Sequence, residues 1–471
     1  MSNTGSIIKS IRDIMRKDSG VDGDAQRISQ MVWMLFMKIF ADKEAGWETS
    51  IKDYESPIPK KFKWQNWGSD ENGLTGDSLI EFINQKLFPT LKKLNSISKQ
   101  AEIVRSVFED TYNYMKNGTL FRQVINEIDK INFNDTSENH VFNDIYESIL
   151  KELQSAGSSG EFYTPRAITQ FMVDMVDPQY GESILDPACG TGGFLTCSIE
   201  HIRKLTKKNN DSKVLQKKII GVEKKSLPHL LCITNLMLHG FDLPSVHRDN
   251  LLSKPYDGWK PNNFVDIILS NPPFGGTEED GTETNFPQEY RTKETADLFL
   301  ILIVKLLKKN GRAAIVLPDN FLFGEGVRTR IKEELLETCN LHTIIRLPKG
   351  VFNPYTNIKT NLLFFDKGTS TKEIWYFEHP YPIGQKSYNR SRPINIKEFD
   401  LEKTWWHNRI ENDYAWKVAI TDIRKRDFNL DISSPYFGED ESQLSRTEII
   451  QKLEKSFEKS QALLSSLKLE F

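Results

Sequence analysis

Apolar residues recur every three or four positions through the first third of the chain: Ile7, Ile8, Ile11 and Met15, then Ile28, Met31, Val32, Leu35 and Ile39. That spacing predicts helices. More helices are predicted over residues 79–94, 101–115, 120–131 and 141–153, with loops at 56–59 and 64–76. Trp64 and Trp67 are expected either to pack on these helices or to meet a partner. The apolar run 31–37 reads as a buried helix face or an interface. Around residue 155 the pattern changes. Residues 155–160 are Ser/Gly-rich and read as a linker. Beyond them come short apolar runs at 183–186, 218–223, 264–270, 311–317, 342–347 and 362–365, with helical stretches such as 195–205 and 295–308 between them. Strand–helix alternation of this kind predicts an α/β domain built on a doubly wound sheet. The expected organisation is an all-α domain over 1–155, the α/β domain over 156–440, and a C-terminal helix over 441–471. In that helix Ile450, Leu453, Phe457, Ser460, Leu464, Leu467 and Phe471 form a heptad seam with one polar break. It is expected to dock on a partner helix or to pack on its own domain.

Two strand-end turns carry chemistry. After 264–270 comes Asn271-Pro272-Pro273-Phe274. An amino nitrogen on a ring or carbonyl carbon is a poor nucleophile, because its lone pair is delocalised. The Asn271 side-chain oxygen and the Pro272 carbonyl can both accept hydrogen bonds from one such NH₂ group. Two acceptors draw the nitrogen toward sp³ and free the lone pair for in-line attack on a methyl group. Pro272 and Pro273 fix φ and hold that carbonyl in place. Phe274 is expected to offer a flat face to a base, worth about 1–3 kcal/mol in single-strand binders. Taken alone, the tetrapeptide also describes an ordinary strand-ending turn.

The second turn follows Asp186 and runs through Cys189, Gly190, Thr191, Gly192 and Gly193 into a helix. A strand, a glycine turn and a helix form a nucleotide-type layout. Glycine lets backbone approach a ligand, and the helix N-terminus favours a carboxylate. The predicted ligand is the methionine end of S-adenosyl-L-methionine, since the glycine spacing is not the dinucleotide fingerprint. Glu223 ends the next strand and is placed to accept from ribose hydroxyls; the polar segment 207–213 accounts for the long gap before it. Asp249 is a candidate acceptor for the cofactor's adenine amine, or a plain loop carboxylate. Residues 275–285, polar and acidic, are expected to be a mobile lid or a surface excursion.

Together these motifs resemble those of DNA adenine-N6 methyltransferases. The upstream segment Gly160-Glu161-Phe162-Tyr163-Thr164-Pro165-Arg166 is similar to the motif that closes over the methionine moiety in methylation (M) subunits of type I restriction-modification systems. The resemblance covers nearly the whole chain. It implies a Rossmann-like methyltransferase sheet, cofactor contacts from Glu161, Phe162, Tyr163, Thr164, Pro165 and Arg166 as well as Asp186, Gly190, Thr191, Gly192 and Glu223, and target-amine contacts from Asn271, Pro272 and Phe274. It implies DNA as substrate, a specificity (S) and a restriction (R) subunit as partners, and two M subunits per complex. Methylation of cytosine N4 or of a protein glutamine, or a cofactor-binding subunit without turnover, are the alternatives.

Bulk composition fits. The 471 residues suffice for two or three domains, and 27% charged with 38% hydrophobic residues is globular. No run of about 18 apolar residues and no secretory pattern is present, so a cytoplasmic protein without membrane contact is expected. The four cysteines are scattered, which indicates neither a zinc site nor a disulfide framework; Cys189 reads as a small apolar filler. No Pro-Cys dipeptide is present, which counts against covalent cytosine-C5 methylation. A net charge of −3 is low for unaided gripping of duplex DNA. The basic clusters at 60–64 and 386–392 are expected to be solvated turns, and the DNA grip to come largely from a partner.

Overall fold

A computed structural model of the protein describes residues 3–95, 97–134, 163–206, 212–353, 355–389 and 391–436. The linker at 155–160, the helix expected at 141–153, Glu161, Phe162 and the C-terminal heptad seam all lie outside the described residues.

The N-terminal region is helical, as its periodicity predicts. Its centre is the helix Asp24–Ser50, in which Met31 to Met37 are all buried. Trp33 meets the ring edges of Phe88 and Phe121 at 5.0 and 6.0 Å. The helix predicted over 101–115 stops early, at Lys99–Phe108. Trp64 and Trp67 are buried, and their indole N–H groups donate to Asp129 Oδ1 and to the Phe62 carbonyl. They pack inward on the helices. In the basic cluster beside them, Lys63 pairs with Glu44 and Glu48 at 3.1 and 2.8 Å.

The second region is built on one nine-stranded sheet in the order β3-β2-β1-β4-β5-β7-β6-β8-β9. The strands are β1 Ile184–Asp186, β2 Ile219–Glu223, β3 Ser245–Arg248, β4 Val265–Ser270, β5 Leu307–Pro318, β6 Cys339–Arg346, β7 Thr360–Lys367, β8 Glu373–Glu378 and β9 Ala415–Ala419. Strands β1 to β5 run parallel. β7 is antiparallel to both β5 and β6. Covering both faces of a parallel sheet demands near-continuous apolar strands, and in β4 every residue but Asp266 is buried. Asp266 lies at the strand's amino end, paired with Lys308 at 2.9 Å. The chain leaves β1 in one direction to build β2 and β3, then returns to add β4 on the other side. Between β1 and β4 is therefore a topological switch point, where ligands of such sheets bind at the carboxyl ends.

The helical region docks on the β3 side. Lys43 pairs with Asp242 at 2.9 Å and Arg248 with Glu109 at 3.0 Å. No helix among the described residues is long and apolar enough to cross a membrane.

Candidate active site

β1 ends at Asp186 and β4 at Ser270, on either side of the switch point. Ser270 Oγ donates to Asp186 Oδ1 at 2.8 Å, and the Ala188 N–H donates to the same oxygen at 3.1 Å. The two carboxyl ends are thus tied directly. Glycine is required at Gly190 and Gly192 for backbone reasons, with φ of +50° and +83°. Gly192 also packs closely: a Cβ there would sit 2.8 Å from Cys232 Sγ, whereas one on Gly190 would project into open space. The open side of the loop is the side available to a ligand. Cys189 is buried with its Sγ 3.7 Å from Cys232 Sγ, which accords with its reading as a filler.

Asn271 stands beside this loop. Its amide Nδ2 donates to Thr164 Oγ1 at 2.9 Å. Its Oδ1 is buried and has no hydrogen-bond partner, an arrangement that costs roughly 1–3 kcal/mol unless a ligand donor fills it. Tyr163, Thr164, Asp186, Gly190, Thr191 and Asn271 wall one small cavity. Asn271 and the glycine loop therefore border a common space.

Glu223 reaches the loop from β2: its Oε2 accepts from the Gly190 N–H at 2.9 Å and its Oε1 from the Lys225 N–H at 2.7 Å. Asp249 follows β3, and its N–H donates to the Glu223 carbonyl at 3.1 Å. Its carboxylate pairs with Lys254 and lines a larger groove of about 960 Å³ beneath the helix Lys99–Phe108. Pro165 caps the helix Arg166–Val176. Arg166 turns to the neighbouring helix Gly193–Leu205, donating to Thr196 Oγ1 at 2.9 Å and pairing with Glu200 at 2.9 Å. It braces that helix.

Pro272 is buried and Pro273 exposed. Phe274 departs from expectation: it is only 4% exposed, with Phe352 edge-on at 6.0 Å. The loop after β6, which supplies Phe352 and also Tyr355 (5.8 Å from Tyr163), was not singled out by the sequence reading. A signal was present, since Asn353-Pro354-Tyr355 repeats the Asn-Pro turn chemistry of Asn271 after another strand.

Burial raises the Asp186 carboxyl to about 7 against the opposing hydrogen bonds from Ser270 and Ala188. The folded protein then holds a proton that the unfolded chain has released. Stability should fall as pH rises from about 4 to about 7 and level off above that. We expect Asp186→Asn to flatten this slope in urea titrations across the same range; a parallel slope in the variant would remove the assignment.

A mixed sheet, parallel from β1 to β5, with a switch-point cavity, a glycine loop on one side and an Asn-Pro-Pro-Phe turn on the other defines the class of amino-group methyltransferases. Residues 137–443 match the N-6 DNA Methylase family model, and residues 4–128 match the HsdM N-terminal domain. The chain belongs to the N-6 DNA methylase family, the adenine-specific DNA methyltransferases of type I restriction enzymes. It is 57% identical over 446 residues to the type I restriction enzyme EcoEI methylase subunit of Escherichia coli, covering 92% of this chain and 91% of that one. Among solved structures, it matches a modification subunit assigned to a type I restriction enzyme of Vibrio vulnificus YJ016 with TM-score 0.81 and 43% identity, over 92% and 96% of the two chains. A chain from a study of complex assembly and conformational transition in the type I R-M system matches with TM-score 0.84 and 31% identity, over 99% and 98%.

Proposed function

We propose that this subunit transfers the methyl group of S-adenosyl-L-methionine to N6 of an adenine flipped out of duplex DNA, within a complex whose specificity subunit selects the sequence. The observation that carries this reading is Asn271, at the carboxyl end of β4: its Oδ1 is a buried acceptor without a donor, and the residue borders the cavity that Gly190 also lines. The residues present fit the cofactor. Gly190 leaves room for its methionine end, Gly192 lets the loop turn tightly against Cys232, Asp186 is a buried carboxyl suited to its ammonium, and Glu223 to its ribose. When bound, S-adenosyl-L-methionine supplies an electrophilic methyl group on a sulfonium.

The chain's own residues do the rest by positioning. Asn271 Oδ1 and the Pro272 carbonyl accept hydrogen bonds from the two amine N–H groups and free the nitrogen lone pair; after methyl transfer the nitrogen sheds one of those protons to solvent. Thr164 accepts from the Asn271 Nδ2, which fixes which end of the amide faces the cavity. Phe274 and Phe352 form an apolar floor under the turn. Flipping costs a few kcal/mol, and with Phe274 buried much of the compensating stacking must come from elsewhere in the complex.

We further propose that the chain divides at 1–155, 156–440 and 441–471, that the last segment docks on the specificity subunit, that two copies join a specificity and a restriction subunit in one complex, and that the complex works in the cytoplasm. Radiolabelled cofactor, the assembled complex and digestion of the product DNA to nucleosides test the central reading. Label in N6-methyldeoxyadenosine is expected; label in N4-methyldeoxycytidine, or in protein alone, overturns it.

A further inference from the structure

The segment leaving Asn271–Phe274 is held in place. Thr277 pairs with Glu294 in an antiparallel bridge, and the Glu278 N–H donates to the Lys293 carbonyl at 3.2 Å. Gly276 O accepts from the Thr295 N–H at 3.2 Å and from its hydroxyl at 3.0 Å. Ion pairs of Asp280 with Lys293 and Glu279 with Lys224 add to this.

Glu278 is the hub. Its side chain is 10% exposed. Oε2 accepts from Asn250 Nδ2 at 3.1 Å and from Lys224 Nζ at 3.5 Å, and Oε1 from Thr295 Oγ1 at 3.3 Å. Burial opposes the charge on Lys224, but Glu279 and Glu278 outweigh it and keep the ammonium's pKa above the ordinary lysine value. The partners' places in the chain matter most. Lys224 follows Glu223, and Asn250 follows Asp249. One carboxylate therefore joins the loops after β2, β3 and β4.

We propose that Glu278 is a positioning residue that couples occupation of the cofactor's adenosine subsite to the geometry of the amine-accepting turn. This rests on the cofactor assignment made above. A ligand drawing Glu223 and Asp249 onto its sugar and base orders Lys224 and Asn250. Through Glu278 it then orders the strand-end loop that begins at Asn271. Such coupling is a free energy shared by both sites, so each ligand should tighten the other.

The test is hydrogen exchange over 275–285 in the full chain, with and without S-adenosylhomocysteine. Wild type is expected to show slower exchange with the ligand bound. Glu278→Ala should lose that protection while its affinity for S-adenosylhomocysteine stays within about threefold, as independent loops would allow. Glu278→Gln keeps an acceptor for Asn250 and Thr295 and should retain most of the protection. In the assembled complex, the gain in DNA affinity caused by the ligand should shrink by about fivefold or more in Glu278→Ala. Equal protection in wild type and Glu278→Ala overturns the proposal, as does an unprotected loop in ligand-bound wild type. If Glu278→Ala does not fold, Thr295→Val removes the hydroxyl's bonds to Glu278 and to Gly276 O and should show partial loss; full protection there counts against the hub. Glu223→Ala is the separate control: unchanged S-adenosylhomocysteine binding in it would mean that the ribose is held elsewhere, and the adenosine subsite on which this coupling rests would fall.

Discussion

Asn271→Ala should lower the single-turnover methylation rate on the order of 10²–10³-fold, the usual cost of deleting one preorganised hydrogen-bonding group at a reacting centre. Cofactor affinity should change little, because the glycine loop and Glu223 are untouched. The reason is local. The Asn271 amide is anchored at one end by Thr164 and open at the other, so the folded protein has already met the cost of keeping an acceptor without a donor. That cost is recovered only when an amine arrives. Thr164→Val should reproduce part of the loss in kcat by letting the amide rotate, and Thr164→Ser should restore it. A variant at 271 that methylates at close to the wild-type rate would show that the nitrogen is activated by other groups.

Glu223→Ala should weaken cofactor binding on the order of 10²-fold, since a hydrogen bond to a charged group contributes roughly 1.5–3 kcal/mol. Calorimetric titration with S-adenosylhomocysteine measures it. The same substitution removes the acceptor for the Gly190 N–H, so the loop should also exchange its amide protons faster without ligand. An affinity within twofold of wild type would mean that the ribose is held elsewhere.

β1, β2 and β4 were legible because each is an apolar run that stops at a residue with distinct chemistry: Asp186, Glu223 or Asn271. β3 escaped notice because Val246 is its one fully buried residue. β8 and β9 were missed for a related reason: they extend the sheet beyond the antiparallel β7, β8 has a glutamate at each end, β9 is buried only at its first two residues, and their pairing is decided by long-range contacts. At the site, residue types and order were readable from local motifs. Contacts between distant segments were not. Thr164 reaches Asn271 across 107 positions and Lys224 reaches Glu278 across 54; no periodicity encodes either. Phe274 is the instructive departure. An aromatic residue after Pro-Pro can stack on a ligand or fill the space beneath its own turn, and the burial of Phe274 beside Phe352 is a matter of packing that the motif does not encode.

The hydrogen bond between Ser270 and Asp186 has a mechanical consequence. Methyl donor and acceptor would be aligned by adjacent strands, about 4.8 Å apart in any sheet, with a single cross-link at their tips. Breathing of the sheet moves both reactants as a pair, so the attack line survives fluctuations that would misalign two groups mounted on separate loops.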